Sequence, residues 1–495
     1  MSLSPLADST LEALDQTGSG MAIRGAFHAR GNDIASKART LADELVTAGV
    51  EPGEPVALLA LPSPDAFAAF LALRLVGAAV LVVEPYASRE VTRARLSSSG
   101  VRLALISPKV ALAAGPFRRA VARRGIYLPV ANDMPELTFA ALGAPVPGVS
   151  RPLSRVSLPP PHKPAQTQMG DAVLVPTSGT TGSPRSVVHS DASLCAASDA
   201  VLKLVRMDRG GHIMAGTFFA ALPALRAGVQ IYLPEKSIAK QVRAAASVDL
   251  IYVTPPELRG LLNAGVQLSG ARVFAGSAPV SVDTLRRTRA AGASEAWGVY
   301  ALTEMLPVSA VEYDEKSAWT GDGDLLGAPC HGAEVRVIDG LIQARGPMMA
   351  DRYLGEPPNT WIDTGDVGAL DAQGRVILHG RAKDMILRRA ENIYPGLYEP
   401  ALNIAGVAEA VMVGVSVFDG DEVVVVVAEL EETADARRIV PELRRVIAGM
   451  GGHKADYLVL AEVPRSGRSR KPDRIAASQL ATQLIATRSE SVIAC

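Results

Sequence analysis

Thr177-Ser178-Gly179-Thr180-Thr181-Gly182-Ser183-Pro184-Arg185-Ser186-Val187-Val188 is the stretch on which the reading of the fold turns. It is dense in hydroxyls and glycines, and it follows Ala172-Val173-Leu174-Val175, which reads as a short buried strand. Such a loop offers many hydroxyl and backbone N–H donors, and its glycines let the main chain approach a ligand closely. A polyphosphate is the ligand that suits those donors best. The run is short and fixed between apolar segments, which separates it from an exposed Ser/Thr/Gly linker. It is not a Walker A loop, because Gly-x-x-x-x-Gly-Lys-Ser/Thr is absent from this site.

At 495 residues the chain is too long for one ordinary domain. With 48% hydrophobic and 20% charged residues it has ample material for a globular core. The formal net charge of -1 argues against nucleic acid as the main partner. Cys195, Cys330 and Cys495 lie too far apart for a disulfide framework or a zinc pattern, so a reducing, cytoplasmic setting is expected. Met1 to Gln16 carries Asp8, Glu12 and Asp15, unlike a secretory signal. The most apolar stretch, Ala66 to Val83, contains Arg74 and divides into a helix-like half (Phe67–Leu73) and a strand-like half (Val80–Val83). No membrane span is expected there.

Helical and strand patterns alternate through the first half: a helix over Ala35–Ala48, a strand over Pro55–Leu59, a helix over Arg89–Ser98, a strand over Leu103–Ile106. That succession predicts parallel sheets flanked by helices. Pro145 to Pro164 reads as an exposed connection to the loop. From Leu326 to Leu378 the pattern changes to short strands with turns, such as Glu334–Ile338 and Val376–Leu378. After Arg381 comes a mixed region with a strand over Glu422–Val427, a helix over Pro441–Met450 and a strand over Tyr457–Leu460. The expected class is α/β. A large N-terminal domain, residues 1–382, holds parallel sheets with flanking helices plus a small β-barrel-like unit. A small mobile α+β domain, residues 383–495, follows a boundary near Lys383.

Four further motifs follow in order: Gly276-Ser277-Ala278-Pro279 with Trp297-Gly298-Val299-Tyr300-Ala301-Leu302-Thr303-Glu304; Thr364-Gly365-Asp366; Gly380-Arg381-Ala382-Lys383-Asp384; and Pro464-Arg465-Ser466-Gly467-Arg468-Ser469-Arg470-Lys471. With the Thr177–Val188 loop they resemble the acyl-adenylate-forming superfamily. Its members include acyl-CoA synthetases, aryl- and fatty-acid ligases, peptide-synthetase adenylation domains and luciferases. The resemblance covers nearly the whole chain. It implies that Thr177, Ser178, Gly179, Thr180, Thr181 and Gly182 cradle the phosphates of ATP, with Arg185 in place of the usual lysine, a planar fork for a point charge. It implies that Gly276, Ser277, Ala278 and Pro279 lie along the adenine and that Tyr300 packs on it. Thr303 would contact the α-phosphate and Glu304 would hold Mg²⁺, a hard cation that wants oxygen ligands. Asp366 would accept from the ribose hydroxyls, and Arg381 would reach the ribose or phosphate. Lys383 would be the hinge, and Lys471 the catalytic lysine.

The same resemblance places Arg388, Arg389 and Ala390 at the tunnel for a pantetheine arm, and Thr217, Phe218, Phe219 and Ala220 with Ala275 at the acyl pocket. No aspartate stands there to meet an α-amino group, and the small residues leave room for a bulky apolar or aromatic acid. The implied enzyme is an AMP-forming acid–thiol ligase. A carboxylate attacks MgATP to give an acyl-adenylate, and coenzyme A, or a phosphopantetheine arm on a carrier protein, takes the acyl group. Arg185, Ser186, Ala301 and Arg470 depart from the family pattern around the phosphates. Two alternatives therefore stand beside it: an enzyme of one half-reaction, making the thioester from a supplied adenylate or loading a carrier protein, and a non-catalytic nucleotide- or acyl-binding protein. The cysteines and the seven histidines are left without a catalytic role, His189 being read as a packing or supporting residue.

Overall fold

The computed structural model describes residues 4–83, 89–115, 117, 134, 137–158, 166–177, 185–388, 391–418, 421–466 and 471–495. They form two compact units. The first comprises Met1–Ser317, Ala328–Glu334 and Ala344–Ile362, and the second Ala318–Gly327, Val335–Gln343 and Asp363–Cys495.

Two sheets make the frame of the first unit. One runs, in spatial order, Arg352–Tyr353, Arg185–Ser190, Asp171–Thr177, Ala79–Val82, Pro55–Leu59, Leu103–Ile106, Thr138–Ala141 and Arg151–Pro152. From Asp171–Thr177 onward its neighbours are parallel, while the two strands at the other edge are antiparallel additions. In the other, Glu295–Tyr300, Arg272–Gly276, Leu250–Val253, His212–Ala215, Gln230–Leu233 and Met21–Gly25 are parallel in that order. Ser309–Glu312 adds an antiparallel strand beyond Glu295–Tyr300. The alternating pattern of the sequence thus becomes the expected α/β architecture. Among the described residues no helix is long and apolar enough to cross a membrane.

The apolar segment beginning at Ala66 becomes the helix Pro64–Leu75, started by Ser63, whose hydroxyl accepts from the Ala66 N–H at 3.2 Å, and by Pro64 in the first turn. Every residue from Ala66 to Arg74 is buried, as befits a helix apolar on all sides. Arg74 is the exception to that apolarity. Its guanidinium donates to the carbonyls of Ala78 and Asp171 and pairs with Asp191, which also accepts from Ser4 Oγ at 2.6 Å. Asp171 in turn is held by a two-pronged pair with Arg352, at 2.8 and 2.7 Å.

In the second unit, Ile362–Leu370 pairs antiparallel with Val376–Arg381. A further sheet runs Val407–Phe418, Asp421–Leu430, Tyr457–Leu460, Val492–Ala494, with helices Ala436–Ala448 and Arg474–Ala486. The first of these helices begins a turn before the expected Pro441. Asp435 caps it, accepting from the Arg437 N–H at 3.0 Å, and Pro441 lies inside the helix. Compactness groups Asp363–Arg381 with the C-terminal residues, so Asp366 and Arg381 share a unit with Lys471.

Arg352→Met strands the Asp171 carboxylate in the interior and should lower stability by roughly 3–5 kcal/mol. The double variant Asp171→Asn/Arg352→Met should cost less than the sum of the two single changes. Urea midpoints of the four proteins check this.

Candidate active site

The first unit brings three of the sequence motifs to one edge. Gly276 and Val299 are register partners on adjacent parallel strands, so the turn 276–279 and the run 300–304 leave the sheet at the same end. Ala215 is the partner of Tyr252, and Tyr252 of Phe274, so the segment from Thr217 leaves at that end too. The carboxyl ends of parallel strands are where open α/β sheets bind ligands. The backbone at Gly276 is closely approached: a Cβ would stand 3.1 Å from both Tyr252 Oη and the Val299 carbonyl, so a side chain there would need its neighbours to shift by a few tenths of an ångström. Ser277 follows in the left-handed region at φ 70° and hydrogen-bonds Tyr252, whose hydroxyl is pushed above its ordinary value by burial. Ser277 and Pro279 are exposed; Ala278 and Tyr300 are half-buried.

The acyl-pocket candidates divide. Ala220 and Ala275 are buried, and Phe219 is exposed. Phe218 turns its ring onto Phe67 and Phe70, with centroids at 4.7 and 6.1 Å. Thr217, half-buried, has its hydroxyl shielded from solvent with no hydrogen-bond partner among the described residues.

Around Glu304 the contacts are dense. Its carbonyl accepts from the Ala350 N–H at 2.7 Å, and its Oε1 accepts from the Tyr353 hydroxyl at 2.8 Å. Among the described residues nothing donates to Oε2. The guanidinium of Arg185 lies 3.7 Å from the Tyr353 ring centroid and forks onto Glu356 at 3.0 and 2.6 Å. Burial, then the Glu304 charge, holds the Tyr353 phenol well above its ordinary range. Thr303 is exposed, and its carbonyl accepts from Nε2–H of the buried His189 at 2.8 Å. Ser193 Oγ lies 3.4 Å from His189 Nδ1. Burial pushes His189 below 6.5 despite Thr303, Asp351 and Glu304, so the ring is neutral and braces the Thr303–Glu304 turn. A carboxylate with one oxygen fixed and, among the described residues, no donor on the other, beside an exposed threonine, fits a hard cation on phosphate oxygens. The side chain of Thr177, and Ser178, Gly179, Thr180, Thr181 and Gly182, lie outside the described residues.

The second unit assembles the remaining motifs. Asp366 and Arg381 are register partners, their side chains 2.7 Å apart. Thr364 shapes the turn: its hydroxyl donates to the Ile342 carbonyl at 2.7 Å and accepts from the Asp366 N–H at 3.1 Å, while Gly365 supplies φ 71°. Lys471 sits on a short hairpin, Ser466 opposite it, and three residues on Arg474 is clamped by both oxygens of Glu399 at 2.6 Å. The Lys471 side chain is exposed, yet its surroundings are crowded enough to cost the ammonium hydration. That desolvation and the repulsion of Arg381, with a smaller push from Lys383, lower its pKa from 10.5, while Asp366 opposes. Lys383 is exposed on the turn Ala382–Asp384. Arg388 is buried and donates to the Lys454 carbonyl at 2.7 Å and Asp456 at 3.2 Å. Arg389 and Ala390 lie outside the described residues, as does Arg470. Burial raises the thiols of Cys195, Cys330 and Cys495, Cys330 to about 12, so none is a ready nucleophile.

The sequence family described as "AMP-binding enzyme" matches residues 30–354. This chain belongs to that family. An indoleacetate–CoA ligase of Aromatoleum aromaticum is 26% identical to this AMP-binding enzyme, over 89% of this chain and 91% of its own length. A fatty acid–[acyl-carrier-protein] ligase, ScoC of Streptomyces coeruleorubidus, is 31% identical over 48% of this chain and 53% of its own. The solved amide bond synthetase McbA of Marinactinospora thermotolerans superposes with a TM-score of 0.77 at 22% identity, covering 96% of this chain and all of that one, a likeness of fold. The superfamily, the fold class and the enzyme class expected from the motifs, AMP-forming acid–thiol ligases, hold at that level.

Two residues at the site escaped the motifs, Tyr353 and Glu356. Glu304 and Arg185 each lie far from them in sequence, and no local spacing announces the contact. His189 supplies a test of the buried-neutral assignment. Its unfolded form takes up a proton near 6.5 and its folded form only at lower pH, so its contribution to stability is present above 6.5 and lost as pH falls below it. The stability gap between the wild type and His189→Gln should therefore shrink between pH 8 and pH 5.5, read from urea midpoints.

Proposed function

We propose that this AMP-binding enzyme is an acyl-CoA ligase that activates a bulky apolar or aromatic carboxylic acid with MgATP and passes the acyl group to coenzyme A. The observation that carries the reading is the electrostatic company Lys471 keeps, since the charges of Arg381, Asp366 and Lys383, all in its own unit, act on its ammonium, and Asp366 and Arg381 are themselves paired at 2.7 Å. A flexible ammonium standing beside the carboxylate that would grip the ribose is placed to meet charge building at the α-phosphate.

In this reading Asp366 accepts from the ribose diol, with Arg381 fixing its orientation. Gly276 to Pro279 and Tyr300 form the adenine slot, and the loop 177–182 with Arg185 holds the triphosphate. Thr303 donates to the α-phosphate, and Glu304 holds the Mg²⁺, which would neutralise phosphate charge. The substrate carboxylate displaces pyrophosphate in line, and Lys471 stabilises the charge that develops. The C-terminal residues then turn about Lys383, and the thiol attacks the adenylate carbonyl to expel AMP. Ala220 and Ala275 are packed into separate hydrophobic cores, so the support comes from the sequence: the absence of any acidic side chain between Ala215 and Leu222 favours an apolar acid over an amino acid. The carrier-protein relative keeps a phosphopantetheine arm as the alternative acceptor.

Incubating the protein with MgATP, coenzyme A and a panel of aryl, fatty and polycyclic acids, with pyrophosphate and acyl-CoA measured separately, tests this. Both products should appear with at least one acid. Thioester only from a supplied acyl-adenylate would reduce the enzyme to its second step. The adenylation rate should also fall at alkaline pH with a midpoint below 10.5, because the ammonium is the working form of Lys471.

A further inference from the structure

Tyr353 stands between two groups that the reaction needs. Its hydroxyl donates to Glu304 Oε1 at 2.8 Å, and its ring carries the guanidinium of Arg185 at 3.7 Å. The ring has little freedom. Arg352, next in the chain, is locked on buried Asp171, and Tyr353 is itself paired with Val187 in the sheet. Glu356 accepts two hydrogen bonds from Arg185 and so helps to hold the guanidinium over the Tyr353 ring. Glu304 is also tied through its backbone, which accepts from Ala350 at 2.7 Å.

We propose that Tyr353 is a positioning residue for the metal carboxylate: its hydroxyl fixes Glu304 through Oε1 and leaves Oε2 to the cation. This rests on the reading of Glu304 as the Mg²⁺ ligand. A carboxylate free to rotate must be ordered each time a cation binds, whereas one already held by a neutral donor keeps its charge and loses less on binding. Phenol suits this role because it donates a hydrogen bond without bringing a positive charge that would compete with the cation.

Tyr353→Phe retains the ring and the stacking surface and removes only the donor. ATP binding measured by calorimetry, once with Mg²⁺ and once in EDTA, separates positioning from packing. The MgATP dissociation constant should rise about tenfold, equivalent to about 1.4 kcal/mol. The metal-free constant should stay within about twofold, a factor worth only a few tenths of a kcal/mol. The free Mn²⁺ needed to half-saturate ATP binding should rise in parallel. Equal weakening with and without metal would make Tyr353 a packing residue and overturn the proposal, and so would no weakening at all. Glu304→Gln is the control on the premise. If wild type and Glu304→Gln show the same metal dependence, Glu304 is not the ligand and the proposal falls with it. A loss confined to Glu304→Gln, with Tyr353→Phe unaffected, sinks the positioning role alone.

Discussion

The pair between Asp171 and Arg352 is the contact on which the first unit's chemistry depends. The two residues are 181 positions apart, both are buried, and they meet through two hydrogen bonds. The same aspartate offers its carbonyl to Arg74, which goes on to Asp191, which holds Ser4. These contacts add side-chain ties among the N-terminus, the strand Asp171–Thr177 and the edge strand bearing Tyr353, the last two already joined through Arg185–Ser190 in the sheet. Burying such charges adds little net stability over apolar packing, since desolvation offsets most of the attraction. What it gives is register. The Arg352–Tyr353 edge strand has only one position in which Arg352 is paired, and in that position Tyr353 reaches Glu304.

That keying lets a loop built for ligand contact rest on a rigid base. The proposed phosphate loop joins two antiparallel strands, Asp171–Thr177 and Arg185–Ser190; the first carries Asp171, paired with Arg352, and the second is paired with the edge strand Arg352–Tyr353. Arg185 opens the second strand and is held over Tyr353 by Glu356. His189, four residues on, braces the carbonyl of Thr303 as a neutral ring. The nucleotide groups of the second unit follow the same rule. Asp366 is set by Thr364 and Arg381, and Lys471 lies on a strand that runs on to Arg474, clamped by Glu399, and pairs with Arg465–Ser466, whose Arg465 is held by Glu429. In both units the groups that would touch phosphate or ribose stand on elements whose own polar groups are already satisfied.

The sequence conveys the motifs, their order and the parallel α/β frame, because these are written in local periodicity and in short runs such as Thr-Ser-Gly-Thr-Thr-Gly. Arg74 was legible as an anomaly in an apolar helix, but its partner Asp191 was not, since a buried pair across the chain leaves no spacing to read. Tyr353 and Glu356 were silent for the same reason. The helix expected over Pro441–Met450 begins at Ala436, because Asp435 caps it ahead of Pro441, which lies inside it. Asp366 and Arg381 were legible as motif residues. Their sharing a unit with Lys471 was not, because compactness depends on how the chain folds back and not on where the motifs fall.

The role proposed for Lys471 is in the first step and not the second. With an acid that the enzyme turns over, Lys471→Ala should lose carboxylate-dependent pyrophosphate release by roughly 100-fold or more, the scale of removing one transition-state charge donor. The same variant, given the synthetic acyl-adenylate and coenzyme A, should form thioester at close to the wild-type rate. Undiminished pyrophosphate release, or equal loss in both half-reactions, would contradict it.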